Sequence, residues 1–187
     1  MKQIKNRIIS ALILTGIALS AHAQKYVSPT QPVATGKSPG LKVKLLSANG
    51  QTETYVLIFS PGDEVRSGLN EFAQKYNVKS AHYTAIGDVF SAKVGFFDYE
   101  HKMFKVIPVD TSEIASFIGN ITIFNSKAVA HTHVSMATQD GIVHGGHLLE
   151  LYVGPTLEVF VTVEPTALYK KLDTRYDAGI IDPSLER

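Results

Sequence analysis

The sequence predicts an α+β domain in which one main helix packs on a mostly antiparallel sheet or a partly closed barrel. Two observations support this fold class. One segment carries apolar side chains at helical spacing, namely Val65, Leu69, Phe72, Ala73 and Tyr76. Most of the remaining chain up to residue 164 alternates short β-prone runs with turn-forming residues. Such a succession of strands is typical of an antiparallel sheet joined by short turns.

The first predicted elements are two strands, at residues 41–46 and 54–59, joined by a turn at Ala48-Asn49-Gly50. Pro61-Gly62-Asp63 interrupts the pattern, and the helix follows with acidic side chains in its first turn, where the helix dipole favours them. The helix is predicted to end near Asn77. Seven further strands are predicted, at residues 81–86, 91–97, 104–109, 114–124, 129–137, 147–153 and 157–164.

The N-terminus has the organisation of a secretory signal peptide over residues 1–23. A basic start precedes an apolar run at residues 8–19, and Ala21-His22-Ala23 is a typical cleavage site. The apolar run is too short to span a bilayer, which needs about 20 residues. We therefore expect an exported protein, periplasmic or secreted, that begins at Gln24 and has no transmembrane segment in its mature chain.

The remaining chain is predicted to form one domain with short extensions at both ends. Residues 24–40 are rich in Pro, Gly, Ser and Thr, and they are predicted to form a flexible lead-in. The domain is expected over residues 41–170, and residues 171–187 are expected to be an irregular C-terminal tail. The chain contains no cysteine, so disulfides cannot contribute to its stability.

The charge balance argues against nucleic acid as the partner. The chain has 18 Lys and Arg against 17 Asp and Glu, and the signal peptide removes three basic residues, which leaves 15 against 17 and a net charge of −2. Proteins that bind nucleic acid usually carry a basic patch and a high pI. The overall composition shows neither, although it does not exclude a local patch.

Four of the seven histidines lie between residues 131 and 147. His131 and His133 are two residues apart on a predicted strand, so they share one face at a spacing of about 7 Å. Imidazole is the commonest metal ligand in proteins. The pair alone is more typical of two exposed or hydrogen-bonded histidines, but the second pair, His144 and His147, strengthens the case for a metal site.

The turn between the two strands decides which histidine joins the pair. A two-residue turn at Asp140-Gly141 would place His147 on the wrong face and His144 about 13 Å along the strand from His133. A three-residue loop, or a bulge at Gly145-Gly146, would shift the register by one residue and turn His147 towards the pair. We therefore predict His131, His133 and His147 as ligands, and we expect His144 at the surface or beside the site.

Three histidine ligands and one water are typical of an open, catalytic type of zinc site. A divalent metal is expected, with zinc preferred, although Fe(II), Ni(II) and Cu(II) also suit such ligands. Glu113 and Glu150 are candidate catalytic residues, each as a general base or a fourth ligand. Each could equally be a solvated or capping glutamate.

An ordered set of motifs resembles the plants and prokaryotes conserved (PPC) domain between residues 55 and 165. The motifs are Pro61-Gly62-Asp63-Glu64-Val65, Ala85-Ile86-Gly87, Val94-Gly95-Phe96-Phe97-Asp98, Ile118-Gly119-Asn120-Ile121, His131-Thr132-His133, and Asp140-Gly141 followed by Gly145-Gly146-His147-Leu148-Leu149-Glu150. The resemblance implies an α+β domain that assembles as a homotrimer. It also implies a distant similarity to the acetolactate decarboxylase fold, whose zinc ligands would correspond to His131, His133 and His147.

The family is often labelled DNA-binding, and its plant members carry Arg-Gly-Arg-Pro AT-hooks that this chain lacks. Their Gly-Arg-Phe-Glu-Ile-Leu partner-binding segment corresponds here to residues 110–115, of which only Glu113 and Ile114 match. The sequence therefore favours an exported, trimeric metal-binding protein that could act on a small oxygenated substrate. A DNA-binding protein and a non-catalytic binding module are the alternatives, and whether the protein is an enzyme stays open.

Overall fold

The structure is a computed structural model that describes residues 25–186. The predicted signal peptide lies outside the described residues. None of the helices within residues 25–186 is both long and apolar enough to cross a membrane. The described chain contains ten strands and one helix: β1 (Tyr26–Val27), β2 (Lys42–Asn49), β3 (Thr52–Phe59), α1 (Val65–Lys75), β4 (Ser80–Asp98), β5 (Met103–Val109), β6 (Ser112–Phe124), β7 (Lys127–Thr138), β8 (Val143–Val163), β9 (Lys170–Asp173) and β10 (Ala178–Ile181).

Eight of these strands form one antiparallel sheet, in the order β1-β5-β4-β6-β7-β8-β3-β2. An additional pairing between β4 and β8 closes a ring through β4, β6, β7 and β8, while the outer strands stay outside this ring. The sheet is therefore partly ring-bonded and is not a barrel. The predicted antiparallel sheet is confirmed, but the emphasis on a main helix was too strong because α1 has only 11 residues.

Two predicted strand breaks are β-bulges in long, continuous strands. Residues 81–86 and 91–97 both belong to β4, whose pairing with β8 shifts between Gly87 and Val89. Residues 147–153 and 157–164 likewise belong mainly to β8, which extends over 21 residues. A bulge adds an unpaired residue and bends the strand without ending it. The sequence pattern is interrupted in the same way by a bulge and by a turn.

Helix α1 is confirmed, and it begins at a well-defined cap. The Glu64 side chain is the N-cap acceptor, with Oε1 accepting from the backbone N–H of Arg66 and Oε2 from that of Ser67. Leu69 and Phe72 on the inner face are fully buried against the sheet. Asn70 Oδ1 accepts a hydrogen bond from the backbone N–H of Ala130 at 2.9 Å, which ties the helix to β7. These contacts fix the helix N-terminus beside β7 and β8.

Both predicted extensions have more structure than their composition indicated. The lead-in starts with β1, which pairs with β5, and its Lys37 carbonyl accepts a hydrogen bond from the Glu64 N–H at 2.8 Å. The tail was expected to be irregular, but it forms the β9–β10 hairpin. These strands have four residues each, and contacts with the domain hold them, such as the bridge between Ile123 and Tyr169. Such short, tertiary-stabilised strands leave little periodicity in the sequence.

Gly119 of β6 allows the close packing of β6, β4 and β7. A Cβ atom at this position would lie 2.4 Å from the Tyr83 hydroxyl oxygen and 2.4 Å from the His131 carbonyl oxygen. Tyr83 is buried and donates a hydrogen bond to that carbonyl at 3.1 Å. No side chain fits between these two groups, so glycine is required by space at this point.

We expect Gly119→Ala to lower the free energy of unfolding by about 1–3 kcal/mol, because overpacking forces neighbouring groups to move. Urea denaturation followed by circular dichroism measures this loss. Gly154→Ala is the matched control in the same sheet, since its Cβ would meet Asp88 Cβ at 3.1 Å and requires only a small shift. Equal stability of the two variants would contradict the packing argument.

Candidate metal centre

The loop between β7 and β8 sets the register that the site requires. The Gly141 N–H donates to the Thr138 carbonyl at 2.8 Å, and the Thr138 N–H donates to the Ile142 carbonyl at 3.0 Å. The loop therefore has three residues, and Gly141 occupies its left-handed position with φ of 79°. As a result His133 pairs directly with His147. Of the two predicted causes of the register shift, the loop is the correct one.

The structure brings the three predicted histidines together on one face of the sheet. One side-chain nitrogen from each of His131, His133 and His147 lies within 4.8 Å of the others. The ring centroids are 5.2 Å apart for His131 and His133, 4.9 Å for His131 and His147, and 5.8 Å for His133 and His147. Nitrogens around a tetrahedral zinc ion lie about 3.4 Å apart, given bonds of about 2.0–2.1 Å. Small ring rotations would close this difference.

The site lies where β7 and β8 separate. Their ladder ends at the pair of His133 and His147, so the carbonyl groups beyond this pair have no partner on the opposite strand. Side chains take their place. Arg66 Nη1 donates to the Leu149 carbonyl at 2.6 Å, and the Tyr83 hydroxyl donates to the His131 carbonyl at 3.1 Å. Both strands are thereby held at the point from which the imidazoles project.

The His147 ring is fixed by stacking and has one nitrogen free for a ligand. It lies parallel to the Phe104 ring, with an interplanar angle of 2° and centroids 4.3 Å apart. Its Nδ1 atom is buried and has no hydrogen-bond partner among the described residues. A buried polar atom without a partner is costly, and a bound ion would remove that cost. The residues therefore fit a metal ion.

The electrostatics of the site favour neutral imidazoles. Burial, together with the positive charge of Lys170, lowers the pKa of His131 to about 4. Burial also lowers the pKa of His147 far below its usual range, with a contribution from His131. Metal ions bind the deprotonated form of imidazole. At neutral pH these two side chains are already in that form.

His144 and the two predicted carboxylates lie outside the group of three. His144 pairs with the buried Met136, on the opposite sheet face from His147. Glu113 is exposed opposite Ala137, four residues along β7 from His133, or about 13 Å away. Glu150 binds Lys93 through a 2.8 Å ion pair and lines the same cleft as His147. Glu150 is therefore the carboxylate closer to the site.

Four further residues position or influence the histidines, and the sequence pattern did not identify them as site residues. They are Arg66, Tyr83, Phe104 and Lys170. Arg66 and Tyr83 donate hydrogen bonds to backbone carbonyl groups. Phe104 stacks on His147, and Lys170 places a positive charge near His131. Each comes from a different element, and only the tertiary fold brings them together. The one feature of the sequence that could have pointed to these residues is the basic side chain of Arg66, which directly follows the motif Pro61-Gly62-Asp63-Glu64-Val65 at the start of the helix.

A cleft of about 200 Å³ opens beside His147. One wall is formed by β8 and helix α1, including Leu149, Glu150 and Arg66, and another by Phe104 and Val106 of β5. The lead-in covers it with residues between Lys25 and Lys37. Of the three histidines, His147 lines this cleft, and His133 is exposed to solvent.

Several solved structures share this fold. A metal-containing protein from Archaeoglobus fulgidus is 31% identical, with a TM-score of 0.64 over 68% of this chain and 91% of that one. A plant- and prokaryote-conserved (PPC) protein from Pyrococcus horikoshii is 28% identical, with a TM-score of 0.65 over 82% of this chain and 100% of that one. A protein from Ralstonia eutropha, named provisionally as DNA-binding, is 29% identical, with a TM-score of 0.65 over 68% and 90% of the two chains.

A comparison with curated proteins finds no match. The sequence pattern of the Plants and Prokaryotes Conserved (PCC) domain matches residues 46–164, which is more than half of the chain. This range includes the helix, the ring of paired strands and all three histidines of the site. The chain therefore belongs to the Plants and Prokaryotes Conserved domain family, for which PPC is the alternative abbreviation.

Proposed function

We propose that this protein is an exported metal-binding protein that holds a divalent ion, preferably zinc, through His131, His133 and His147 and acts on a small oxygenated molecule. The observation that carries the proposal is the convergence of three imidazole nitrogens within 4.8 Å from two strands. The buried Nδ1 atom of His147, which has no partner among residues 25–186, supports it independently. A relative from Archaeoglobus fulgidus is described as metal-containing.

A zinc ion with three histidine ligands has a free coordination position and can polarise a carbonyl group or acidify bound water. The protein's own residues would orient the ligands and line the approach to them. Phe104 holds the His147 ring, and Arg66 and Tyr83 hold the backbone on either side. Glu64 and Glu150 are the carboxylates that line the cleft; Glu64 caps helix α1, and Glu150 forms an ion pair with Lys93. Glu150 is therefore the one available for chemistry. It is our candidate for moving a proton.

The DNA-binding reading has less support from the residues. The predicted mature chain has more acidic than basic residues, and it lacks an AT-hook. The Ralstonia eutropha relative carries a provisional DNA-binding name, which describes that protein. Duplex DNA attracts proteins mainly through a concentration of positive charge. We therefore favour the metal-binding function.

Replacing His133 with alanine should remove most of the bound metal, because the loss of a direct ligand weakens a site severely. Even loss of an outer partner typically costs 10–100-fold in affinity, so we expect at least about a hundredfold loss here. His144→Ala is the matched control, since His144 lies on the opposite face of the same hairpin. Elemental analysis of tag-free protein measures the metal content of the two variants. Equal metal contents in the two variants would refute the proposed ligand set.

An open coordination position distinguishes an enzyme-like site from a closed structural one. We expect the Co²⁺-substituted protein to change its visible spectrum on addition of thiocyanate, because an anion can enter the fourth position. The His144→Ala protein should respond in the same way. A cobalt spectrum that thiocyanate leaves unchanged would favour a non-catalytic binding module.

The protein should also assemble as a homotrimer, as the family resemblance implies. An exposed apolar row supports self-association: Thr84 of β4 pairs with Ile118 on one side and Phe160 on the other, and Ile86 follows on the same face. Ile118, Phe160 and Ile86 are 55%, 47% and 64% exposed. A contiguous apolar patch of this kind typically marks an interface. Ile118 is also directly opposite His133, so such an interface would adjoin the site.

We expect light scattering at micromolar concentration to give the mass of three chains. Phe160→Asp should shift this mass towards the monomer, because a charge cannot be buried without a partner at little cost. Tyr99→Asp is the control, since Tyr99 is 73% exposed and lies beyond the end of β4, away from the apolar row. A monomeric parent protein would contradict the assembly proposal.

A further inference from the structure

The cleft beside His147 has an excess of basic side chains. Four cationic residues line it, namely Lys25, Lys37, Arg66 and Lys93, against two acidic ones, Glu64 and Glu150. The predicted mature chain as a whole has more acidic than basic residues, so this cleft differs from the average surface. Charge concentrated in a concave site raises the local concentration of ligands of opposite sign.

Both acidic side chains are already engaged with other groups. The buried Glu64 carboxylate accepts hydrogen bonds from the backbone N–H groups of Arg66, Ser67 and Leu151, at 3.2, 2.7 and 3.2 Å. The Glu150 carboxylate lies 2.8 Å from Lys93 Nζ. Neither carboxylate forms an ion pair with Arg66 within the part of the chain that the structure describes.

Arg66 uses little of its bonding capacity, although it is the most enclosed of the four cationic residues of the cleft. Its guanidinium is half-buried, and the hydrogen bond that the structure records for it within residues 25–186 runs from Nη1 to the Leu149 carbonyl. A guanidinium has five N–H donors in a planar fork, which matches the oxygens of a carboxylate or phosphate. Glu64 and Glu150 place negative charge near this guanidinium, but within residues 25–186 neither carboxylate accepts a hydrogen bond from it, so its remaining donors are available to a bound anion.

Arg66 also lies close enough to the metal ligands to serve the same small molecule. Its positive charge contributes to lowering the pKa of both His131 and His147. Arg66 binds the Leu149 carbonyl two residues beyond His147, where β7 and β8 separate. The cleft of about 200 Å³ admits only a compact ligand. Because Arg66 and His147 line the same cleft, a single small molecule there can reach the guanidinium and approach the histidine triad at His147.

We propose that this cleft is an oxyanion subsite, in which Arg66 binds the carboxylate of a small hydroxy- or oxo-carboxylate whose neighbouring oxygen faces the histidine triad. This proposal names hydroxy- and oxo-carboxylates as the class of small oxygenated molecule that the protein takes. The contact between the ligand oxygen and the histidine triad rests on the proposed function, whereas the contact between the carboxylate and Arg66 does not. Phosphate offers the same anionic oxygens, so the test includes it as a separate probe. Lys93 contributes less to anion binding, because it already forms an ion pair with Glu150.

Binding to the zinc-loaded full chain tests this assignment without a mutation. The probes are lactate, lactamide and inorganic phosphate, each titrated and followed by ligand-observed NMR. Lactamide has nearly the shape of lactate but no charge, so it isolates the contribution of the carboxylate. We expect lactate or phosphate to bind and lactamide to bind at least tenfold more weakly. Equal binding of lactate and lactamide, or no binding of either anion, overturns the proposal.

Variants then assign the effect to Arg66. Arg66→Gln should weaken anion binding by about 10–100-fold, because a hydrogen-bonded charge is lost. Arg66→Lys should recover only part of it, since lysine keeps the charge without the planar fork. Lys44→Gln removes an exposed positive charge from β2, which does not line the cleft, and should change nothing. If Lys44→Gln and Arg66→Gln have the same effect, nonspecific attraction explains the binding and the subsite is rejected.

Metal content separates this proposal from the function on which it rests. Each variant is checked by circular dichroism and brought to full zinc occupancy, verified by elemental analysis, before anion binding is compared. This step is needed because Arg66 also holds the β8 backbone beside His147, so Arg66→Gln should weaken zinc binding, although less than His133→Ala, which removes a ligand. Zinc binding without Arg66-dependent anion binding would overturn the subsite and leave the metal site intact. Arg66-dependent phosphate binding to a protein that takes up no zinc would refute the metal function and support the anion-binding half of the proposal.

Discussion

The direct pairing of His133 with His147 is the constraint on which the rest of the site depends. It follows from a three-residue loop in which Gly141 adopts a left-handed conformation with φ of 79°. A slip of one residue moves every side chain of a strand to the other face. With a two-residue loop, His144 would share the face of His133 but would lie too far along the strand to share an ion. The loop length therefore selects the third ligand.

Beyond this pair β7 and β8 separate, which makes room for the site but also leaves backbone carbonyl groups without partners on the opposite strand. Strands that diverge leave carbonyl groups without partners, and buried backbone groups are almost always paired. Arg66 and Tyr83 solve this by donating to the carbonyls of Leu149 and His131. Glu64 in turn accepts from the Leu151 N–H and caps helix α1. The start of the helix and the strands that carry the histidine triad are thus parts of one hydrogen-bonded network.

The sequence predicted the parts of the structure that depend on local pattern. The helix, the antiparallel pairing and the histidine triad followed from periodicity, strand alternation and turn length. It misjudged the continuity of β4 and β8, because a bulge and a turn interrupt the alternation alike. It also missed the β9–β10 hairpin, whose short strands depend on contacts with the domain. Arg66 and Phe104 became visible as site residues only when the fold placed them beside His147.

The charges around the triad constrain which ligand can complete it. The imidazoles of His131 and His147 are neutral at physiological pH, and Arg66 and Lys170 both place positive charge near them. None of the described carboxylates belongs to the ligand group, since Glu113 is distant and Glu150 is paired with Lys93. A divalent ion would therefore add two positive charges to surroundings that are already positive. Repulsion of this kind weakens metal binding unless an anion enters with the metal. Metal and anion should then bind cooperatively, because each reduces the electrostatic cost of the other.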